Sequence, residues 1–182
     1  DNDGIYDYQE GSGVFAASNP KQKDVYIELD YVEGTDVNMD ALESVEDLYA
    51  TAPIQNPNGE TGINLHIKLG EEIPREEIQS ERPTAIAANH SDLYARSHVY
   101  AVKTPELSEE RLGQASIGAF VYREPQGSNY RHDTRVYAAN AFAHELGHVL
   151  GLVPEEFDGI DAEKYSKTEY ESVMNYNLYG KP

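Results

Sequence analysis

The sequence predicts an α+β fold, with a twisted mixed β-sheet, a long crossover helix and a second long helix that carries a histidine motif. Residues 24–32 (DVYIELDYV) alternate in polarity and are rich in β-branched and aromatic types, which is typical of a strand. Residues 39–51 carry apolar side chains at helical spacing, and Pro53 follows them. Residues 63–69 (INLHIKL) form a second strand pattern, so this order predicts a parallel crossover unit.

The second half of the chain predicts two more strands and the clearest helix. Residues 98–103 (HVYAVK) and residues 115–122 (ASIGAFVY) have the composition of strands. The helix begins near Thr134, and Gly151 is placed to end it because glycine readily adopts the left-handed conformation found after helices. The apolar face of this helix comprises Ala138, Phe142, Leu146, Val149 and Leu150.

Length and charge limit the classes of function. The chain has 182 residues, which suits one packed domain, and 39% of them are hydrophobic, as in globular proteins. Asp and Glu number 33 against 14 Lys and Arg, so the net charge is −19. That field repels nucleic acid and anionic membrane surfaces, so we expect neither as a partner. We expect the protein to be a monomer.

The chain contains no cysteine. This excludes a disulfide framework, thiolate catalysis and zinc held by cysteine within these residues. No apolar run approaches the ~20 residues that a membrane-spanning helix needs.

The predicted second helix carries the motif His144-Glu145-Leu146-Gly147-His148. Because each helical residue turns by about 100°, His144 and His148 lie on one face, about one turn apart. Two imidazoles in this arrangement can bind one zinc ion, and Glu145 stands beside the first ligand, where its carboxylate can reach a water molecule on the metal. The motif therefore predicts a zinc site in which Glu145 acts as general base on a carbonyl substrate.

Residues 144–152 (HELGHVLGL) and residues 172–176 (SVMNY) resemble the HExxHxxG helix and the Met-turn of the metzincin peptidases, with wording closest to secreted snapalysin-like and archaeal-type members. The resemblance implies a metzincin-like fold and a secreted, extracellular zinc endopeptidase over residues 13–182. It places Met174 beneath the metal. It also implies that Tyr176 touches the metal or stabilises the oxyanion, although a tyrosine packed beneath the site is an equal alternative.

The third zinc ligand departs from the family pattern. Metzincins carry it three residues after the motif glycine, where this chain has Pro154, which cannot bind a metal. We expect Asp161 to replace it, because the preceding Gly159 permits the sharp turn that a returning ligand needs. Asp158 is the next candidate. On the plan of thermolysin-like peptidases, Glu169 from a second helix would take the position instead.

The amino-terminal residues 1–12 predict a remnant of an acidic calcium-binding repeat. With Gly4 at the sixth position of a loop of the EF-hand type, the other ligand positions match, and the first would lie before the start of this chain. The segment resembles the calcium repeats of dockerin and thrombospondin type 3 modules, which are extracellular, and we read the start of the chain as a cut. The expected calcium ligands are Asp1, Asp3, Ile5, Asp7 and Glu10.

Two functional interpretations remain at this point. In the first, a polypeptide substrate in extended form pairs with an edge strand, for which residues 115–122 are the candidate, and is hydrolysed. In the second, the chain is a non-catalytic extracellular binding module in which zinc and calcium are structural. Glu145 favours catalysis, because a closed structural zinc site has no use for a carboxylate beside its first ligand.

Overall fold

The computed structural model describes residues 2–10, 15, 17–78, 82–90, 98–107, 111–123, 134–153 and 170–175. These residues form a mixed α/β fold in which helices pack on a five-stranded, mostly parallel sheet, in agreement with the predicted α+β class. The metzincin-like form of this fold stays a prediction. No helix in the described ranges combines the length and the apolarity that a bilayer crossing requires.

The sheet has the spatial strand order β2-β1-β3-β5-β4. Strands β1, β2, β3 and β5 run parallel to one another, whereas β4 is antiparallel to β5 and lies at the edge. Strand β1 lies inside the sheet, between β2 and β3, and accordingly seven of its ten residues are buried. The strand bounds are β1 Lys23–Val32, β2 Ile63–Ile73, β3 His98–Lys103, β4 Gly113–Ser116 and β5 Ala119–Tyr122.

The described residues also form four α-helices and a short 3₁₀ turn. Helix α2 is capped by Asn38, whose side chain accepts a hydrogen bond from the backbone N–H of Ala41, as helix N-caps do. It lies between β1 and β2, which pair in parallel, so the predicted crossover unit is confirmed. The bounds are α1 Asp7–Glu10, α2 Met39–Ala50, the 3₁₀ turn Arg75–Glu77, α3 Pro83–His90 and α4 Thr134–Val149.

Helix α4 is anchored to one face of the sheet by aromatic packing. Phe142 is fully buried and meets Phe120 edge-on, with ring centroids 4.9 Å apart, and Tyr122 in the same way at 5.3 Å. Edge-to-face pairs place the positive ring edge on the negative ring face and add to the burial of apolar area. The following residues of α4 are therefore held at a defined distance from β5 and β4.

The expectation of one strand over residues 115–122 is wrong. The chain turns at Ile117 and Gly118 and forms a hairpin of β4 and β5. Gly118 has a φ of 72°, which glycine tolerates and which tight hairpin turns require. The sequence pattern did not predict the turn, because Ile117 is apolar like its neighbours. In the structure Ile117 is 92% exposed at the tip of the hairpin.

The amino-terminal segment packs on β1. Ile5 and Phe15 form a small buried cluster with Tyr26, and the rings of Phe15 and Tyr26 lie 5.0 Å apart. The boundary between residues 1–12 and residues 13–182 as separate units stays a prediction.

Candidate metal centre

His144 and His148 meet on one face of α4, as the sequence predicted. Their Nε2 atoms are 3.0 Å apart, and their rings stand nearly perpendicular, at 86°. Since zinc binds imidazole nitrogen at about 2.0–2.1 Å, a single ion can contact both atoms. His144 is 1% exposed, so its ring has little access to bulk water.

Each ring is oriented by a main-chain carbonyl group. The Nδ1 atom of His144 donates to the oxygen of Val173 at 2.8 Å, and Nδ1 of His148 donates to the oxygen of Leu152 at 2.7 Å. A carbonyl oxygen can only accept, so each Nδ1 carries the proton and each Nε2 of a neutral ring presents a lone pair. This is the tautomer that metal-binding histidines adopt when their other nitrogen is hydrogen-bonded.

Burial makes the neutral form of His144 the dominant one. Removal from water lowers the pKa of His144 to about 4; the hydrogen bond to Val173 opposes this shift, and neighbouring His148 adds to it. The ring is therefore uncharged near pH 7, as metal binding requires. With each Nδ1 bonded to a carbonyl group, the two Nε2 atoms are the ring nitrogens that would share a cation.

The carbonyl group that orients His148 is placed by the end of α4. Gly151 has a φ of 100°, and its N–H donates to the oxygen of His148 at 3.1 Å. The N–H of Leu152 donates to the oxygen of Gly147 at 3.0 Å. These two bonds form a Schellman motif, which reverses the chain after the helix and returns the Leu152 carbonyl to the histidine ring.

The carbonyl group that orients His144 comes from the predicted Met-turn. In this turn the N–H of Asn175 donates to the oxygen of Ser172 at 3.0 Å, and the N–H of Met174 donates to the Ser172 hydroxyl at 3.1 Å. The fully buried Asn175 also donates through Nδ2 to the oxygen of Tyr170 at 2.8 Å. The turn is thus held from both sides, with the Val173 carbonyl directed at His144.

Met174 is buried against the helix, at 3% exposure. A Cβ atom at Gly147 would overlap the sulfur of Met174 and would stand 3.0 Å from its Cε. Gly147 therefore permits the close approach of the turn to α4 and brings Met174 against the residue that precedes His148. The position of Met174 beneath a metal stays a prediction.

Glu145 is 3% exposed and faces the edge strand. A Cβ atom at Gly113 would overlap Oε1 of Glu145 and would stand 2.5 Å from both its Cγ and its Cδ. The carboxylate is thus lodged between α4 and the first residue of β4. Sequence reasoning missed Gly113, because its neighbour is distant in the chain and a single glycine gives no signal.

The remaining predicted site residues fall on parts of the chain that the structure does not describe. Asp161 and the alternatives Asp158 and Glu169 lie outside the described residues, and so do Pro154 and Tyr176. The structure therefore brings the two histidines together and packs Glu145 against Gly113 and Met174 against Gly147, while the third ligand and the role of Tyr176 stay predictions.

A second group of acidic side chains lies at the amino-terminal end of β1. Carboxylate oxygens of Asp3, Glu10 and Asp24 lie within 4.8 Å of one another, so the three residues could hold a metal ion. Glu10 and Asp24 are buried, at 4% and 1% exposure. Asp3 and Glu10 were predicted as calcium ligands, whereas Asp24 was not. Sequence reasoning missed it because β1 also contains Lys23, Glu28 and Asp30, so a further acidic residue in this strand gave no signal.

Hydrogen bonds tie this acidic group together. The backbone N–H groups of Ile5 and Asp24 donate to the two oxygens of Asp3, at 2.8 and 2.9 Å. His66 on β2 contacts Oδ1 of Asp24 through Nε2 at 2.5 Å. Of the other predicted calcium ligands, Asp7 begins α1, with a side chain outside the described set, and Asp1 is not described.

No protein-family model matches the chain, and no curated protein matches it either. Fold and site together define a mixed α/β protein whose second long helix carries two histidines and a glutamate against a sheet edge. The metzincin resemblance stays a prediction.

Proposed function

We propose that the protein is a secreted, extracellular zinc endopeptidase that hydrolyses peptide bonds with a water molecule activated by Glu145. The observation that supports this most is the pair of Nε2 atoms 3.0 Å apart on rings whose Nδ1 atoms both donate to carbonyl groups. Two ring nitrogens that both lack a proton repel each other at that distance, and a cation bound between them removes the repulsion. Nitrogen ligands on a helix at this spacing suit zinc.

Bound zinc would supply Lewis-acid polarisation and lower the pKa of a water molecule toward ~7. His144 and His148 would hold it, with Asp161 as the proposed third ligand and Asp158 or Glu169 as alternatives. Two nitrogen ligands and one carboxylate leave a fourth position open, as in catalytic rather than structural zinc sites. A carboxylate ligand is also in keeping with a chain that has no cysteine.

Glu145 is the proposed general base. It follows His144 directly, and its side chain is buried between the helix and the edge strand, where water access is low and its rotamers are few. The carboxylate accepts a proton from the attacking water and passes it to the leaving amine. Tyr176 is proposed to stabilise the oxyanion.

The edge of β4 is the proposed site for the extended polypeptide. The N–H of Arg123 donates to the oxygen of Leu112 at 2.8 Å, so by the antiparallel alternation Leu112 and every second residue after it bond to β5. The backbone groups of Gly113 and Ala115 therefore point away from β5, toward the sheet edge. A substrate strand added there would pair with these two residues and pass beside Glu145.

One experiment tests the proposal against the binding-module alternative. The purified chain is analysed for zinc and then incubated with casein, with and without a chelator. We expect stoichiometric zinc, casein cleavage, and loss of cleavage on chelation that is restored by added zinc. Stoichiometric zinc without cleavage would support the non-catalytic module, and cleavage that persists without metal would refute the zinc mechanism.

We further propose that the cation of the acidic group is calcium. All ligand atoms in the group are carboxylate oxygens, which hard cations prefer, and the spacing of Asp3 and Glu10 follows a calcium-loop pattern. Asp24 adds a ligand from β1, which would join the amino-terminal segment to the sheet through the ion. This setting suits an extracellular protein, because calcium is abundant outside cells.

A further inference from the structure

Gly113 is a glycine whose backbone does not need one. Its φ lies outside the left-handed region, unlike those of Gly118 and Gly151. An alanine could adopt the same strand conformation, so the reason for glycine must be sought in the space around its α-carbon.

The space next to Gly113 is filled by Glu145. Three atoms of that side chain, Cγ, Cδ and Oε1, lie where a Cβ atom of residue 113 would stand. Overlap with Cγ matters most, because rotation of the terminal carboxylate alone cannot relieve it. The rest of α4 around Glu145 is tightly packed, since Ala143, His144 and Leu146 are at most 1% exposed. The helix therefore cannot move away without disturbing a histidine.

We infer that Gly113 is a positioning residue for Glu145: because residue 113 has no side chain, the carboxylate packs directly against the α-carbon of the edge strand. This inference rests on the proposed function, in which Glu145 is the base. One residue then does two things, because the backbone groups of Gly113 also point toward the proposed substrate edge. Because β4 is in direct contact with Glu145, a shift of β4 changes the orientation of the carboxylate.

The test is Gly113→Ala, with Gly70→Ala as the matched control. Gly70 lies in β2, also without a left-handed φ, and a Cβ there would overlap Oδ1 of Asp30, another buried carboxylate. Both substitutions overpack a strand against a carboxylate and should lower Tm by several degrees. Only Gly113→Ala should lower kcat, by about 10- to 100-fold with KM within about twofold and zinc content unchanged, because misplacing a catalytic group by ~1 Å has an effect of this size.

A double-mutant cycle separates this inference from the proposed function. Glu145→Ala removes all three atoms that the new Cβ would meet, so Gly113→Ala should cost little Tm in that background. An equal Tm loss in both backgrounds would overturn the inference, as would an unchanged kcat in folded Gly113→Ala. The cycle needs no activity, so a chain that cleaves nothing refutes the peptidase while the Tm values still decide the contact.

Discussion

The Nε2 atoms of His144 and His148 lie 3.0 Å apart, while the Nδ1 atom of each ring donates to a main-chain carbonyl oxygen. The hydrogen bonds fix both tautomers and leave Nε2 of each ring as the nitrogen that would bind a metal. The Schellman motif after α4 and the turn at residues 172–175 provide these carbonyl groups. The orientation of both rings therefore depends on main-chain carbonyl groups.

Glu145→Gln should abolish peptide cleavage and leave zinc bound. The amide keeps the shape of the side chain but cannot accept a proton, so we expect a loss of about 10²- to 10⁴-fold in kcat. Zinc content and casein hydrolysis are measured together, with Glu43→Gln on the exposed face of α2 as control. Loss of zinc from Glu145→Gln would make this residue a ligand instead of a base.

Asp161→Ala should release zinc. Removing one of three protein ligands lowers the affinity of a site that binds only the folded chain. Metal content after dialysis against a weak chelator is compared among Asp161→Ala, Asp158→Ala and Glu169→Ala, with His144→Ala as the positive control. Full zinc in Asp161→Ala would exclude it, and the variant that loses metal would identify the ligand.

Gly147→Ala should destabilise the fold, although alanine is the better helix former. At an exposed helical position the exchange would gain up to ~1 kcal/mol. Here the new Cβ overlaps the sulfur of Met174, and overpacking of this kind costs about 1–3 kcal/mol. This cost exceeds the gain in helix propensity. Urea unfolding gives the free energy of unfolding.

In a Met174→Ala background, Gly147→Ala should cost less free energy of unfolding than in the wild type, since the overlapping sulfur is absent there. A Gly147→Ala variant more stable than the wild type would contradict the close approach of helix and turn.

Calcium should raise the Tm of the intact chain, and Asp24→Asn should weaken the effect. A ligand at one hundred times its Kd stabilises the folded state by about 2.7 kcal/mol. Asp24 contributes one of three clustered carboxylates, whereas Asp47 is exposed on α2, so Asp47→Asn is the control. Thermal melts are recorded across a calcium titration. An identical calcium response in both variants would remove Asp24 from the site.

Elements with strong periodicity could be predicted from the sequence. The pattern of residues 24–69 predicted β1, α2 and β2, including their parallel pairing, because buried strands and an amphipathic crossover helix leave few other arrangements. The turn at Ile117 and Gly118 could not be predicted in the same way. Because Ile117 is apolar, the strand-like composition of residues 115–122 is continuous. Only the antiparallel pairing of β4 with β5 shows that these residues form two strands.

Helix α4 and its histidine pair could be predicted from the sequence because the spacing of the motif is local. His144 and His148 share a face by the helical repeat alone, with Glu145 beside the first of them. Contacts between distant segments are of another kind. Gly113 against Glu145, and Asp24 beside Asp3, depend on which strand becomes the edge and where the chain start packs, and no periodicity records either.

Spacing within one helix thus predicted from the sequence alone that His144 and His148 meet, since residues four apart in a helix are neighbours in space. The tertiary structure alone decided the tautomers of both rings, because the carbonyl groups of Val173 and Leu152 reach them only after the chain has turned back on α4. The tertiary structure also decided how Glu145 packs. The absence of a Cβ atom at Gly113 matters only because β4 lies against the helix there.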